Sequence, residues 1–471
     1  MPRPKGRIKT SPTAVQGPIR KRLRAGAVRI AVVGLGRIGL PTAALFAHAG
    51  ARVSGYDIDQ EVVEETNAGK CRFADEPGLA EMVSRLAKSG RLSATTSAKE
   101  AVKDADFIIL CLPTPVDITR TPDYSAVRRA ASEVGRWMHK GVIVITESTV
   151  GPGIVEGMIG PALEKESGLR CPGDFGLASC PERSDPGKIL ADMRSVPRIV
   201  GSTNQECTDM VAELYEGAFG VNAIRVSNPR TANAVKLTEN IFRDVNIALS
   251  NEFAVLFEKL GIDAKEVIDA CATKYNFVAH YPGTGVGGPC LPSNSYYMIA
   301  EGMKVGNIPY LVRMGREIND RMPDHVIQLI SETLNRVGKT VSGSKVAVLG
   351  VAYKPNVRDV QLTPIEPVIR ELIKTGAEVQ VYDPMFKGEK ILGFTIARSA
   401  TEAAKGSDCV VIGTAHDEFK SLDLDALSKA VRKKAGLVDA RNVLNPRDAV
   451  KAGFAYCGVG RNLQAPKSPQ G

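Results

Sequence analysis

Two stretches of this 471-residue chain combine residue types and spacings that could do chemistry. One runs Tyr281-Pro-Gly-Thr-Gly-Val-Gly-Gly-Pro-Cys290-Leu-Pro292, with glycines at 283, 285, 287 and 288. Glycines this dense expose backbone and allow close approach to an anion, while Cys290 stands just before a helix predicted to start near Ser293. The positive end of such a helix lowers a thiol pKa and favours the thiolate, the nucleophilic form. An isolated cysteine is more often inert and buried, and those at 71, 111, 171, 180, 207, 271, 409 and 457 are read that way. Cys290 is read as a nucleophile.

The other stretch begins with the β-branched run Val28 to Val33 and continues Gly34-Leu-Gly36-Arg37-Ile38-Gly39 into a helix-prone Thr42 to His48. A second strand, Arg52 to Tyr56, ends at Asp57, 18 residues after Gly39. Strand, G-x-G-x-x-G, helix, strand and acid form the dinucleotide-binding fingerprint. Gly34 permits the tight turn, Gly36 lets backbone N–H groups approach a pyrophosphate, and Gly39 lets helix and strand pack closely, with Arg37 and Ile38 in the loop between. The helix N-terminus stabilises the diphosphate charge. Asp57 would accept from the ribose hydroxyls and repel a 2′-phosphate, so NAD is favoured over NADP.

Further strands are predicted at Phe107 to Leu112 and Val142 to Thr146. Their C-terminal ends carry Pro113-Thr114-Pro115 and Glu147-Ser148-Thr149, and ligands bind at such ends in open α/β sheets. The plainer alternative makes Thr114 and Thr149 turn or cap residues. From Asn228 to Leu260 the pattern is a long amphipathic helix closed by Gly261, with helical segments continuing to about Val337. The α/β rhythm then restarts with strands Val346 to Leu349, Glu378 to Tyr382, Asp408 to Gly413 and Gly436 to Val438, without a full glycine fingerprint. The predicted fold class is α/β, with two Rossmann-like doubly wound domains joined by a long central helix and helical domain. The boundaries are a disordered basic tail at 1–27, an NAD-binding domain at 28–227, a helical connector with the cysteine at 228–340, a second Rossmann-like domain at 341–460, and a tail at 461–471.

Composition, 44% hydrophobic and 24% charged, excludes disorder across the whole chain. The most apolar stretch, Ile30 to Gly50, is interrupted by Arg37 and His48, so no membrane span is expected. The net charge of +9 suggests nucleic acid until it is divided along the chain. Arg3, Lys5, Arg7, Lys9, Arg20, Lys21, Arg22 and Arg24 stand in residues 1–27 without one acid, and the remainder is close to neutral. No specific nucleic-acid partner is expected; a transit peptide and a weak polyanion contact are the alternatives to a solvated tail. No C-x-x-C occurs and the five histidines lie far apart, which argues against a zinc site. The odd cysteine count points to reduced thiols in a cytoplasm.

Taken in order, the motifs resemble the nucleotide-sugar dehydrogenases that oxidise C6 of UDP-hexoses to UDP-hexuronic acids. They are Gly34-Leu-Gly-Arg-Ile-Gly-Leu-Pro41, Glu147-Ser-Thr-Val150, Cys180-Pro-Glu-Arg-Ser-Asp-Pro-Gly187, Ala234-Val-Lys-Leu-Thr-Glu-Asn240, Gly287-Gly-Pro-Cys290, Gly350-Val-Ala-Tyr-Lys-Pro355 and Asp439-Ala-Arg441. The resemblance implies two hydride transfers to NAD, with Cys290 holding the sugar as a thiohemiacetal and then a thioester that water hydrolyses. It implies that Lys236 stabilises the C6 oxyanion, that Asn240 helps to hold that oxygen, and that Glu182, aided by Thr149, handles the hydrolytic water. The substrate contacts it implies are Glu182, Arg183, Lys236, Asn240, Tyr281, Gly285, Gly287, Gly288, Tyr353, Lys354 and Arg441. Lys274 stands where relatives carry an Arg that reaches a neighbouring subunit's substrate.

Three positions depart from the family pattern. Asn294 replaces an Asp that aids the catalytic water, Gln361 replaces an Arg, and Pro289 replaces the His usual before the nucleophile in the N-acetylhexosamine branch. Pro181-Glu182-Arg183 and Lys354-Pro355-Asn356 nevertheless resemble that branch, so UDP-N-acetylmannosamine or UDP-N-acetylglucosamine is expected ahead of UDP-glucose, for polysaccharide or glycan biosynthesis. The competing classes are an inactive NAD and nucleotide-sugar binding protein and a one-step hydroxyacid dehydrogenase. The apolar stripe of the long helix implies a homodimer, as relatives pair through it.

Overall fold

The computed structural model describes residues 18–73 and 75–464. It divides into two compact units, one of residues up to 114 with 124–236, the other of 115–123 with 237 onward. The central helices, expected as a connector of their own, therefore cluster with the C-terminal sheet.

The first unit holds an eight-stranded sheet of β1 (Arg29–Val33), β2 (Arg52–Tyr56), β3 (Leu92–Thr95), β4 (Phe107–Leu110), β5 (Ile143–Thr146), β6 (Gly176–Ser179), β7 (Arg198–Ser202) and β8 (Ala223–Val226). Their order is β3-β2-β1-β4-β5-β6-β7-β8, parallel through β6, with β7 antiparallel to β6. The strand-order reversal between β1 and β4 is the switch point at which doubly wound sheets bind ligands. Both faces are covered: along β1, Ile30 and Val32 enter one hydrophobic core, Ala31 and Val33 the other.

The second unit holds β9 (Lys345–Leu349), β10 (Glu378–Tyr382), a short hairpin of β11 (Lys390–Ile391) and β12 (Phe394–Thr395), then β13 (Cys409–Ile412), β14 (Gly436–Asp439), β15 (Ala455–Gly458) and β16 (Arg461–Gln464). Its main sheet runs β10-β9-β13-β14-β15-β16, parallel except for β16. The same unit contains most of the long helix Pro229–Leu260 and the helices Leu291–Lys304 and Tyr310–Arg336. The long helix starts where Pro229 can take the first helical position and the Asn228 carboxamide oxygen accepts from the Thr231 N–H at 2.8 Å. It stops before Gly261, which adopts φ +74°.

Two expected tails are ordered in part. Residues 1–17 lie outside the described residues, but Pro18–Arg24 form a helix. Ile19 and Leu23, one turn apart, are 3% and 1% exposed in the first core, each burial contributing about 1.5–3 kcal/mol. Arg20 pairs with Glu216 at 2.8 Å and Arg22 with Asp106 at 2.6 Å. Half of the basic residues assigned to a solvated tail are thus on a docked helix. At the other end, Arg461–Gln464 form β16, with Arg461 bonded to Asp263, the Leu444 carbonyl and Tyr456; residues 465–471 lie outside the described residues.

Candidate active site

In the first unit the three fingerprint glycines have three different geometries. Gly34 has φ +89°, and a Cβ there would meet the Cys111 carbonyl oxygen at 2.4 Å. A Cβ on Gly39, the first residue of the helix Gly39–His48, would meet the Gly34 carbonyl oxygen at 1.8 Å. A Cβ on Gly36 meets nothing within 4 Å. The loop is therefore packed on two sides and open on the third, the cradle a dinucleotide pyrophosphate requires at a helix N-terminus. Asp57, half-buried at the end of β2, accepts from the Leu35 N–H at 2.8 Å and the Asp59 N–H at 3.1 Å, and has acceptor capacity left for ribose hydroxyls. These residues fit NAD. Arg37 turns away to Asp75 at 2.8 Å and Glu76 at 3.3 Å, and Ile38 precedes the helix.

The strand ends divide into groups that face outward and groups that lock the fold. Pro113 is exposed, and Thr114 and Thr149 are half-buried, with the Thr114 hydroxyl donating to the Thr149 carbonyl at 2.8 Å. Ser148 clips the end of β4 by accepting from the Leu112 N–H and donating to its carbonyl. The Glu147 carboxylate, taken from the sequence as a cofactor contact, points inward. Its oxygens accept from Tyr215 at 2.6 Å, Thr42 at 2.9 Å, Arg198 at 3.2 Å and Cys111 at 3.3 Å. Burial pushes its pKa up despite Arg198.

Glu182 lies in the loop after β6. Its Oε1 accepts from the Arg183 and Ser184 N–H groups, both at 2.7 Å, and its Oε2 from Arg198 at 2.5 Å. Burial would raise its pKa, but Arg198 and these hydrogen bonds prevail and hold the carboxyl below the ordinary range. The Arg183 guanidinium donates to the Pro197 carbonyl at 2.5 Å. Lys236 is 8% exposed, with no ion pair or hydrogen bond to its ammonium among the described residues. Such a buried ammonium is the exception among buried polar groups.

In the second unit Cys290 alone of the nine cysteines is exposed, and it occupies the N-cap of the helix Leu291–Lys304. Cys180, Cys207, Cys409 and Cys457 are buried, with burial pushing Cys180 and Cys207 up to about 11. The remaining four, expected to be buried, are only half-buried. One turn into the cysteine helix, Asn294 accepts at Oδ1 from the Asn240 amide at 2.5 Å, so the expected hydrolysis position is an amide bonded to an amide.

Helix and loop are held by a buried polar network that sequence reading did not find. Asp244 accepts from Ser295 at 2.8 Å, Arg316 at 2.7 Å and Asn319 at 2.9 Å; Asn319 accepts from Asn251, and Asn251 accepts from the Gly283 N–H at 2.9 Å. The glycine loop then leans on the C-terminal sheet. Cβ atoms on Gly287 and Gly288 would meet Tyr353 at 3.0 and 2.5 Å, the Gly288 N–H donates to the Gln361 carbonyl at 3.0 Å, and a Cβ on Gly285 would meet the Asn319 carbonyl at 2.6 Å. Arg441 reaches the same loop, because a Cβ on Gly283 would lie 2.0 Å from its Nη1. Lys354 follows Tyr353 in a half-buried stretch, Tyr281 donates to Asp269 at 2.8 Å, and Lys274 is exposed. Among the described residues no cluster of His, Cys, Asp and Glu could hold a metal, and no helix is long and apolar enough to cross a membrane.

The sheet order and the open glycine loop define a dinucleotide-binding enzyme of the doubly wound class. Comparison with known proteins places it more narrowly. The chain matches the UDP-glucose/GDP-mannose dehydrogenase family in three consecutive domains: NAD binding at residues 28–219, central at 230–321 and UDP binding at 347–446. It is 36% identical to the UDP-N-acetyl-D-mannosamine dehydrogenase of Pyrococcus horikoshii, over 92% of this chain and 99% of that protein. It is 32% identical to the UDP-N-acetyl-D-glucosamine 6-dehydrogenase of Pseudomonas aeruginosa, over 89% and 97%. A solved structure of a UDP-glucose dehydrogenase from Pyrobaculum islandicum superposes with a TM-score of 0.82 at 31% identity, covering 92% of this chain and 98% of that one. The chain belongs to the UDP-glucose/GDP-mannose dehydrogenase family and is an NAD-dependent UDP-sugar dehydrogenase.

Proposed function

We propose that this chain oxidises the C6 hydroxymethyl of UDP-N-acetylmannosamine to the carboxylate, as a homodimer in the reducing cytoplasm. The observation that carries the covalent route is Cys290, the one exposed thiol, at the positive end of a 14-residue helix. NAD, when bound, supplies the hydride acceptor for each of two oxidations, one cofactor molecule per step. Lys236 donates to the C6 oxygen and stabilises the charge that develops on it, a task its lack of a protein partner leaves it free to perform. Asn240 offers a second polar contact to that oxygen. The Cys290 thiolate adds to the aldehyde carbon formed by the first oxidation, and after the second its sulfur carries the acyl group as a thioester. Glu182, already an anion, orients the water that cleaves the C–S bond and returns the thiol. Arg441, which packs closely against Gly283, and Lys354, next to the Tyr353 that Gly288 approaches, supply positive charge for the UDP diphosphate.

The N-acetylmannosamine assignment is supported by the Pyrococcus relative at 36% identity and by Pro181-Glu182-Arg183. Purified protein should reduce two NAD per UDP-N-acetylmannosamine and yield the uronic acid, and Cys290→Ala should abolish this. Faster turnover of UDP-N-acetylglucosamine or UDP-glucose would reassign the sugar. One NADH per sugar would remove the thioester route. The dimer is supported by the long helix, where Phe242, Leu249, Phe253, Leu256 and Leu260 are 43–60% exposed along one stripe. Leu249→Glu with Phe253→Glu should give a monomer by light scattering, and an unchanged mass would refute this surface.

A further inference from the structure

Arg198 is absent from every motif singled out in the sequence, yet it is the most heavily engaged buried cation of the first unit. Its side chain is 2% exposed. Nη1 donates to Glu182 at 2.5 Å, Nη2 to Glu147 and to the Cys180 carbonyl at 3.2 Å each, and Nε to the Cys180 sulfur at 3.5 Å. The rings of Tyr215 and Phe219 lie 5.1 and 5.6 Å from its guanidinium carbon. One guanidinium thus serves two carboxylates, and those two are not equivalent. The Glu147 side chain is fully buried and tied to Tyr215, Thr42 and Cys111, whereas the Glu182 side chain keeps 8% exposure.

We propose that Arg198 is a positioning residue for thioester hydrolysis: anchored by Glu147, it holds the Glu182 carboxylate as the oriented anion that places the attacking water. The proposal rests on the reading that Glu182 handles that water. The geometry assigns each part. Oε1 of Glu182 is fixed by two backbone N–H groups, which use both of its lone pairs, and Oε2 by Arg198, so the carboxylate plane cannot rotate, yet Oε2 keeps a lone pair for a water proton. Hydrolysis adds the water oxygen to the acyl carbon and breaks the C–S bond, leaving the sugar carboxylate and the Cys290 thiol. No oxidant is needed. The opposed directions of the two acids, Glu147 raised and Glu182 lowered, fit a device that keeps the less deeply buried member ionised. A lysine cannot replace the planar fork, because one point charge cannot serve both acids in these directions.

The position is tested with Arg198→Lys and with Arg198→Met in a Glu147→Gln background, which removes the buried acid that would otherwise be left unpaired. Glu147→Gln alone and Glu182→Gln serve as references, and thermal melts establish folding. The first-turnover burst of NADH should persist in the Arg198 variants, while steady-state turnover falls about 100-fold. Intact mass spectrometry should then show the acyl adduct on Cys290 in these variants and none in the wild type. With the Arg198 fork gone, only the Arg183 and Ser184 N–H groups oppose burial at Glu182, so its pKa should rise and the acid limb of the turnover profile should move to higher pH. Folded Arg198 variants with no adduct and an unmoved acid limb would overturn the proposal while Glu182→Gln accumulates the adduct. Normal hydrolysis by Glu182→Gln would overturn the Glu182 reading, and the proposal with it.

Discussion

Gly34 and Gly350 occupy the same place in two different sheets. Gly34 follows β1 at φ +89°, its N–H donates to the Tyr56 carbonyl at 2.7 Å, and the next acid, Asp57, accepts from the Leu35 N–H at 2.8 Å. Gly350 follows β9 at φ +93°, its N–H donates to the Tyr382 carbonyl at 2.7 Å, and Asp383 accepts from the Val351 N–H at 2.7 Å. After that the two diverge. Gly36 and Gly39 carry the first loop straight into a helix with open space beside it, and Asp57 stays half-exposed. In the second, Asp383 is fully buried and also accepts from Ala352, Met385 and His416, while the other nitrogen of His416 accepts from the Asn356 N–H at 3.0 Å. Strand, glycine and acid are therefore a folding device common to both sheets. Only where the acid keeps a vacancy does the device become a dinucleotide site; where it is saturated, it fixes the loop that carries Tyr353 and Lys354.

The largest expected effect separates the two acids. Asp383→Ala leaves three backbone N–H groups and a buried histidine without their acceptor and should cost about 3–5 kcal/mol in urea unfolding. Asp57→Ala should cost about 1 kcal/mol, yet weaken NAD binding at least tenfold by calorimetry with UDP binding unchanged. Equal stability losses would break the comparison.

Acid should find the same difference. Burial acts to raise the Asp383 pKa, but His416 and the backbone donors outweigh it and hold the carboxyl below its ordinary range. Its contribution to stability is thus complete above the unfolded carboxyl pKa of about 3.9 and fades as pH falls below that toward the folded value. Denaturation of wild type and Asp383→Asn at stepped pH should show a gap that is widest near neutrality and closes in acid. A gap that widened in acid would reverse the sign.

Much of this was legible in the sequence: Phe107–Leu110 and Ile143–Thr146, buried along their whole length, are continuous apolar or β-branched runs, and the less buried strands stand between clear turn signals. Arg52–Tyr56 and Glu378–Tyr382 are found to the residue, and the fingerprint glycines take the geometries their spacing implies. What escaped depends on partners remote in the chain. Pro18–Arg24 reads as a basic tail because only Ile19 and Leu23 are apolar, while the acids that dock it, Glu216 and Asp106, are 196 and 84 positions away. Arg198 opens an ordinary strand, and nothing local shows that its guanidinium turns toward acids 16 and 51 positions earlier. Glu147 reads as a ligand contact because it sits at a strand end, but which way a carboxylate points there is decided by Tyr215 and Thr42. An arginine at the start of an otherwise apolar run was the one signal for such a buried pair.

A smaller effect isolates the histidine. Because Nδ1 of His416 accepts from Asn356, its proton sits on Nε2, facing Asp383. His416→Phe removes the acceptor for Asn356 and loosens the segment with Lys354, so KM for the UDP-sugar should rise about tenfold, about 1.4 kcal/mol, with NAD affinity unchanged. A matching change in NAD affinity would mean that His416 acts through general stability and not through the loop.

The smallest effect on stability belongs to Gly36, and it tests the vacancy itself. An alanine there meets no protein atom within 4 Å and needs no left-handed backbone, so folding should be unchanged or improved by about 0.5 kcal/mol. Gly34→Ala, at φ +89° and 2.4 Å from a carbonyl oxygen, should instead destabilise by more than 1 kcal/mol. NAD affinity should nevertheless fall at least tenfold in Gly36→Ala, because the added methyl occupies the space through which the pyrophosphate meets the loop N–H groups. Full NAD affinity in a stable Gly36→Ala would mean that this opening is plain surface and that the cofactor is held elsewhere along the β1–β4 edge. Lost affinity with unchanged melting would show that the first sheet differs from the second by a space kept empty.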